Sequence, residues 1–352
     1  MRKLASIQIV NAVEPIPNAD AIERVRVLGW WVVCKKGELQ PGDRVVYCEI
    51  DSLLPEKPEY EFLRQSCFKA ALEQGGLVTQ RAGFRIKTVK MRGQVSQGIC
   101  FPMSILPPGT PTEVGTVVTE ALGIIKYDPP LPIGMSGRVK GGFPDFIPKT
   151  DEIRVQVLER VLERHRGKTF HVTEKLDGTS FTAFLRDGSF GLCSRNLHLD
   201  ETDESHLFVQ LAKRLDLTAM LTQLRDRYRF APAIQAEVIG PGIQGNKYGL
   251  KAVELHVFNL FDMDAQRLID HTRALDILRE VGLTTVPQIG EIVLAHTVDE
   301  LIAMSVGRSM LNQFVQREGI VLRPPAEEYD EDVGGRLSFK AINPQFLLMY
   351  DE

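Results

Sequence analysis

The sequence predicts an α+β protein in two parts: a small antiparallel β-barrel over residues 1–128, then a mixed α/β domain over 129–352. Three observations carry that expectation. The first 125 or so residues hold short β-branched and aromatic runs punctuated by turn residues. A Pro/Gly-rich stretch, "YDPPLPIGMSGRVKGGFPDFIPKT" (127–150), has the composition of a linker and then a loop. Beyond it, strand-like and helix-like segments interleave without strict βαβ alternation, and no internal repeat or low-complexity tract is present.

In the first part, "VRVLGWWVVCKKG" (25–37) and "DRVVYCEI" (43–50) read as strands separated by the Pro-Gly turn of "ELQPG", and "FRIKTVKMRGQVSQGICFP" (84–102) continues the pattern. Short strands at this spacing predict an OB-fold barrel, with a generic β-sandwich as the alternative on pattern alone. Lys87, Lys90 and Arg92 gather three positive charges in six positions of this region.

In the second part, "DEIRVQVLERVLERHRG" (151–167) places Ile153, Val157, Leu158, Val161 and Leu162 at helical spacing. Strands are expected around 169–175, 180–186, 190–195 and 233–239, interrupted by a helical segment at 205–217. Further strands at 253–262 and 318–323 are separated by the helix-like "TRALDILREVG" and "VDELIAMSVGRS".

With 43% hydrophobic and 25% charged residues the chain reads as globular rather than disordered or fibrous. A net charge of −4 gives no global basic signature, so any nucleic-acid surface has to be local. The five cysteines (34, 48, 67, 100 and 193) are scattered, odd in number and without C-x-x-C spacing, which argues against a disulfide framework and a zinc site. Ser6, Gln8 and Asn11 break the N-terminal apolar run before a signal-peptide core forms, and no stretch has the length of a membrane span. The expectation is a cytoplasmic protein with no membrane partner.

The chemistry centres on "TEKLDGTS" (173–180), which sets Lys175 close to two carboxylates, Glu174 and Asp177. An amine attacks only when neutral, and flanking anions hold its proton more tightly. A nucleophilic Lys175 therefore needs further positive charge nearby. Glu237 and Glu318, eighty-one positions apart and each expected on a strand, are the oxygen donors that Mg²⁺ or Mn²⁺ prefers. Gly240-Pro241-Gly242-Ile243-Gln244-Gly245 satisfies G-x-G-x-x-G, but it holds a proline and runs into "NKYG" instead of an apolar helix. It reads as a substrate-side loop and not a dinucleotide site.

Taken in order, "EKLDG" (174–178), "SRN" (194–196), "QAEVIGPGIQGNKY" (235–248), "HVFNLFD" (256–262), "REGIVLR" (317–323) and "LSFKAIN" (337–343) resemble the motifs of the covalent nucleotidyltransferase superfamily of ATP-dependent nucleic-acid ligases and mRNA-capping enzymes. "FPDFIPKTDEIRVQ" and "KTVKMRGQVSQG" look like the RNA ligase 5 family, which joins an N-terminal OB domain to an adenylyltransferase domain of ATP-grasp-like ligase type. Only nine residues follow Asn343, too few for the C-terminal OB domain of a DNA ligase or capping enzyme, and this favours an RNA ligase.

The resemblance implies an ATP-dependent RNA ligase. Lys175 attacks the α-phosphate of ATP to give lysyl-AMP, AMP passes to an RNA 5′-phosphate, and a 3′-hydroxyl displaces it. It implies catalytic roles for Lys175, Asp177 and Lys340, and nucleotide contacts from Glu174, Leu176, Arg195, Glu237, Phe258 and Lys340. Glu237 and Glu318 would hold the divalent metal. Many relatives carry a second lysine where this chain has Ile342, so Lys149 and Arg154 are the candidates to supply that charge. Phe258 and Phe261 fall on opposite faces of a strand, and Phe258 is the one expected to stack on adenine. The expected partner is RNA with 3′-hydroxyl and 5′-phosphate ends, as a nicked duplex, acted on by a monomer. A GTP-dependent capping-type transferase and a non-catalytic tRNA-binding OB protein, suggested by residues 18–50, are the alternatives.

Overall fold

A computed structural model of the chain describes residues 3–74, 77–127 and 137–351. The expected domain boundary and the proline-rich start of the linker lie outside these residues. By contacts the chain divides into two compact units, Met1–Pro130 together with Pro344–Glu352, and Leu131–Asn343. The final residues, expected with the second part, thus belong to the first.

The first unit is a small antiparallel barrel. Its main sheet runs in the order Ile99–Phe101, Arg44–Cys48, Ala5–Pro15, Ile22–Val27, Trp30–Lys35. The long Ala5–Pro15 strand pairs with Arg44–Cys48 along its first half and, after a bulge between Val10 and Ala12, with Ile22–Val27 along its second. One strand thereby serves both sides of the curl. Alternation does the rest: Val25, Val27, Trp30 and Val32 point into the core, while Arg24 and Arg26 lie over the outward-facing Trp31 ring. Thr88–Met91 and Gln94–Gln97 form a hairpin turned at Arg92-Gly93, both at positive φ. Its base is tied to the barrel where Val33 N–H donates to Ser96 Oγ at 2.9 Å. The Pro344–Tyr350 helix packs on the Thr88–Met91 strand, burying Phe346 and Leu347, and Asp351 pairs with Lys87.

The second unit holds two sheets. A seven-stranded antiparallel sheet has Thr179–Arg186, Pro232–Ile239 and Glu254–Asp262 at its centre. Helices Leu207–Arg214, Leu217–Tyr228 and His271–Glu280 bury Phe208, Leu221 and Ile277 against its Phe181, Ile234, Ala236 and Val257 face. A five-stranded sheet runs Ile153–Arg154, Phe339–Ile342, Gly319–Arg323, Thr169–Lys175, Gln288–Val293. Helices Glu159–Arg164 and Val298–Ser305 cover its Phe170, Val172, Ile320 and Leu322 face. Because strand side chains alternate, the opposite face of each sheet is left to polar residues: Thr173, Lys175, Arg323 and Lys340 on one, Gln235, Glu237 and Asn259 on the other.

Three expectations change and one strand is added. The run read as a strand over 25–37 is parts of two antiparallel strands, Ile22–Val27 and Trp30–Lys35, turned at Leu28-Gly29 with Leu28 at positive φ. The helix predicted over 151–167 is a short strand, Ile153–Arg154, then a single 3₁₀ turn and a helix of six residues, Glu159–Arg164. Its first residues are taken by parallel pairing with Phe339–Lys340, which turns Val157 outward. The helical segment at 205–217 breaks at Asp216, in the left-handed region, and a further helix, Leu217–Tyr228, follows. Gln288–Val293 is an edge strand with mostly exposed side chains, so it carries little of the alternation that marks a strand. Among the described residues no helix is long and apolar enough to cross a membrane.

Candidate active site

Lys175 is the last residue of its strand, opposite Gly319, with its Nζ 2.7 Å from each carboxylate oxygen of Glu318. Glu318 is almost buried and immediately precedes the neighbouring Gly319–Arg323 strand. Gly319 is required there: a Cβ would sit 2.4 Å from the Ala341 carbonyl oxygen. Beyond Lys175 the chain turns through Leu176-Asp177-Gly178 into the other sheet. Gly178 is the second close approach, since a Cβ would lie 2.3 Å from the Val238 carbonyl and 3.0 Å from Glu237 Cγ. The glycines of "KLDG" and "EGIVLR" are therefore what let Glu237 and Glu318 close on the lysine.

Burial pulls the Lys175 ammonium toward losing its proton, but Glu318, Glu237 and Asp177 together outweigh burial and hold its pKa above the ordinary lysine value. Glu237 is pushed up to about 8, first by burial, with Glu318 and Asp177 adding to it and Lys175 and Arg195 opposing. Three carboxylates thus face Lys175 and Lys247, whose Nζ sits 2.5 Å from Asp177 Oδ2. Among the described residues no group of three His, Cys, Asp or Glu side chains is arranged to hold a metal. The donors present are two or three carboxylates. These hard oxygens fit Mg²⁺ or Mn²⁺ with water and substrate phosphates completing the shell, and the acid-heavy balance calls for added positive charge.

The other expected residues fall into three places. Lys340 lies opposite Val321, two positions along from the Lys175 register and on the same face, with Arg154 beside it in parallel pairing. Ile342 is buried on that strand. Lys149 donates to Asn196 Oδ1 at 3.1 Å and Arg195 pairs with Asp151 at 2.6 Å, which binds the 149–151 segment to the "SRN" loop. Beside them a cavity of about 280 Å³ is lined by Lys149, Glu152, Gln235, Asn259 and Arg336. Phe258 packs with Leu176, Ile239, Tyr248 and Val286 next to the lysine turn, whereas Phe261 is buried under the 143–147 segment with Phe184 and Ile147.

Glu174 departs from its expected place among the charges at the lysine. Alternation turns it to the opposite face from Lys175, where it is buried and its carboxylate accepts the Met310 N–H at 2.7 Å. Burial holds its pKa above the usual carboxylate range. Two neighbours of the site carry no sequence expectation. Lys247 pairs with Asp177, and the Tyr248 hydroxyl accepts the Asp177 N–H at 2.7 Å, so the 240–250 loop folds back over the lysine turn. Gln244 reaches the Gly178 carbonyl from the same loop. The only signal for them is their place at the "QGNKY" end of the motif that begins with Glu237.

An OB-fold domain model matches residues 4–103, and an RNA ligase model matches residues 168–342. Among solved structures, the RNA ligase of Naegleria gruberi is similar over both units. A variant with ATP and Mn is 36% identical, with 98% of this chain and 98% of that chain covered and a TM-score of 0.87. A structure with pyrophosphate gives 36%, 99%, 98% and 0.87, and one with AMP and Mn gives 35%, 98%, 98% and 0.87. The chain belongs to the RNA ligase family. It is a ligase of covalent nucleotidyltransferase type with an N-terminal OB-fold domain. Among curated proteins nothing matches. The capping-type and non-catalytic alternatives are not favoured by these findings.

Proposed function

We propose that this ATP-dependent RNA ligase seals 3′-hydroxyl/5′-phosphate nicks in duplex RNA, as a monomer, with Lys175 as its nucleophile. The observation that carries the reading is Lys175 Nζ held 2.7 Å from both Glu318 oxygens, at the end of a strand inside the ligase match. Five free cysteines support a cytoplasmic setting.

Glu237 and Glu318 would hold a divalent metal, which would supply the positive charge that lowers the Lys175 pKa and offsets charge on the α-phosphate. Glu318 is the acceptor within reach for the proton that Nζ gives up. The neutral amine then forms a P–N bond to the α-phosphorus as pyrophosphate leaves. An oxygen of the RNA 5′-phosphate attacks lysyl-AMP, the P–N bond breaks and Lys175 is released. The 3′-hydroxyl finally attacks the adenylylated phosphate and AMP departs.

Lys340 and Arg154, paired on one face near Lys175, are assigned to the phosphates, with Lys149 and Arg195 at the edge of the same region. Phe258, half-buried against Leu176, is assigned to the adenine, and Glu174 braces the lysine strand from behind through Met310. Asp177, fixed by Lys247 and Tyr248, orients the turn that presents the amine.

Lys175→Ala is expected to abolish the covalent protein–AMP adduct, read by intact mass after incubation with ATP and metal. Lys175→Arg is expected to fail equally, because a guanidinium stays protonated. A Lys175→Ala protein that labels like wild type overturns the assignment.

A further inference from the structure

We infer that Phe314 is a stacking platform for a nucleobase of the RNA strand near the break, a contact separate from the nucleotide pocket. The inference rests on the ligase reading and adds an RNA-binding contact to it.

Phe314 is 92% exposed, the most exposed large apolar side chain among the described residues. Isolated apolar side chains on a surface are ordinary, so exposure alone decides nothing. The loop beneath it is what does. Phe314 N–H donates to Asn312 Oδ1 at 2.9 Å, and its carbonyl accepts from Arg308 Nη1 at 3.1 Å. Ser309 N–H donates to the Val315 carbonyl, and Val315 N–H to that of Asn312. The ring is therefore held out by a backbone fixed on both sides, not left outside by a loose chain.

The same loop forms one wall of the site. Leu311 and Val315 pack on the cluster that holds Leu176, Asn312 Nδ2 donates to the Tyr248 carbonyl, and Met310 N–H holds Glu174. Four residues on, the chain reaches Glu318 at the Lys175 amine. Four residues span at most about 14 Å, which is about four steps of a stacked strand. Phe314 thus lies no more than about four strand steps from Glu318, a separation a strand end delivered to Lys175 can bridge. Exposed Arg308, bonded to the Phe314 carbonyl, is a cationic neighbour suited to the phosphate of a stacked nucleotide, and Met310 of the same loop is exposed as well. Base stacking on an aromatic face is sequence-tolerant, as a ligase acting at a break requires.

The test compares wild type, Phe314→Ala, Phe314→Leu and Phe314→Tyr in the full chain on one nicked RNA duplex. 2-Aminopurine is placed singly at each of the four positions on either side of the break. Adduct formation with ATP and metal, without RNA, is expected to be the same in all four. For Ala and Leu, KM for the pre-adenylylated nick is expected to rise about 5- to 100-fold, with Tyr close to wild type. At one or two positions 2-aminopurine fluorescence should change on binding wild type and not Phe314→Ala. Equal KM for wild type and Ala overturns the inference, and leaves the ring for some other partner. Leu restoring KM as well as Tyr overturns it too, as does loss of adduct formation in Phe314→Ala. If wild type forms adduct but seals no RNA, the ligase reading itself fails and the inference falls with it.

Discussion

Two groups of charge are buried in the ligase unit, one at Lys175 and one at Arg323, and they are built on opposite plans. At Lys175 the cation can lose its proton, and the carboxylates of Glu318, Glu237 and Asp177 crowd it. At Arg323 the cation keeps its charge near neutral pH, although burial, with Arg336 adding to it, brings its pKa down to about 10. Its Nη1 donates to the Phe258 carbonyl at 2.7 Å and to Asn259 Oδ1 at 3.1 Å, and Nη2 lies 3.5 Å from Glu152. Arg336 donates to the same Asn259 oxygen and pairs with Glu327. One cluster matches two fixed cations with carbonyl, amide and carboxylate acceptors, leaving only Arg323 Nε of its guanidinium without a partner. The other carries surplus acid that only substrate and metal can balance. A group that must react is kept incompletely compensated, and a group that must hold two sheets is not.

Arg323→Met puts the largest load on that contrast. It leaves the Phe258 carbonyl and Glu152 short of a donor, and is expected to cost about 3–5 kcal/mol of stability in denaturant unfolding. Lys175→Ala also breaks an ion pair, but its side chain is 25% exposed against 3% for Arg323, so it should change stability less, and equal losses would erase the distinction between the clusters. Next comes Glu318→Ala, expected to slow adduct formation by about 2–4 kcal/mol of activation free energy with little change in unfolding. Excess EDTA should stop adduct formation in wild type, and efficient labelling in EDTA would refute the need for added positive charge.

A smaller effect is expected in the pH dependence of stability without metal. Glu237 has a folded pKa of about 8, above the unfolded value near 4.3. The folded state therefore holds the extra proton between these values, so the contribution is full below the lower pKa and is lost as pH rises through about 8. Glu237→Gln should flatten the fall in unfolding free energy from pH 5 to 8, and an unchanged slope would remove Glu237 from the carboxylates crowded at Lys175.

The smallest expected effect extends the comparison to exposed charge. In the barrel Lys87 is already paired with Asp351, whereas Lys90 and Arg92 stand exposed at the hairpin tip. Replacing Lys90 and Arg92 with alanine should reduce the slope of RNA affinity against salt by about 0.7–0.9 for each phosphate that is no longer neutralised. Identical slopes would take the hairpin off the RNA surface.

Much of the site was legible because its chemistry is written in short contiguous strings. "EKLDG" and "REGIVLR" hold nucleophile, carboxylates and the two close-approach glycines in two short runs. What was not legible depends on folding back. Lys247 and Tyr248 matter only because a loop some seventy positions later closes on the lysine turn. Glu174 was grouped with the reactive charges by adjacency in sequence, although period-two alternation sends it to the other face. The helix expected over 151–167 lost its first turns to a strand pairing with residues nearly 190 positions away, which no local periodicity records. In the barrel the hairpin Thr88–Met91/Gln94–Gln97 is local and turns at its Arg-Gly pair, whereas Leu28-Gly29 splits the run over 25–37 into two strands and the pairing of Arg44–Cys48 with Ile99–Phe101 spans some fifty positions.

The helix Pro344–Tyr350 makes the barrel unit discontinuous in the chain, and that sets an order of events during synthesis. The whole stretch 131–343 is translated between the barrel and the helix that completes it, which takes roughly 10–40 s at ordinary elongation rates. For that time the seat of Phe346 and Leu347 on the Thr88–Met91 strand stays open. The segment that completes the barrel is thus made only after the whole ligase stretch.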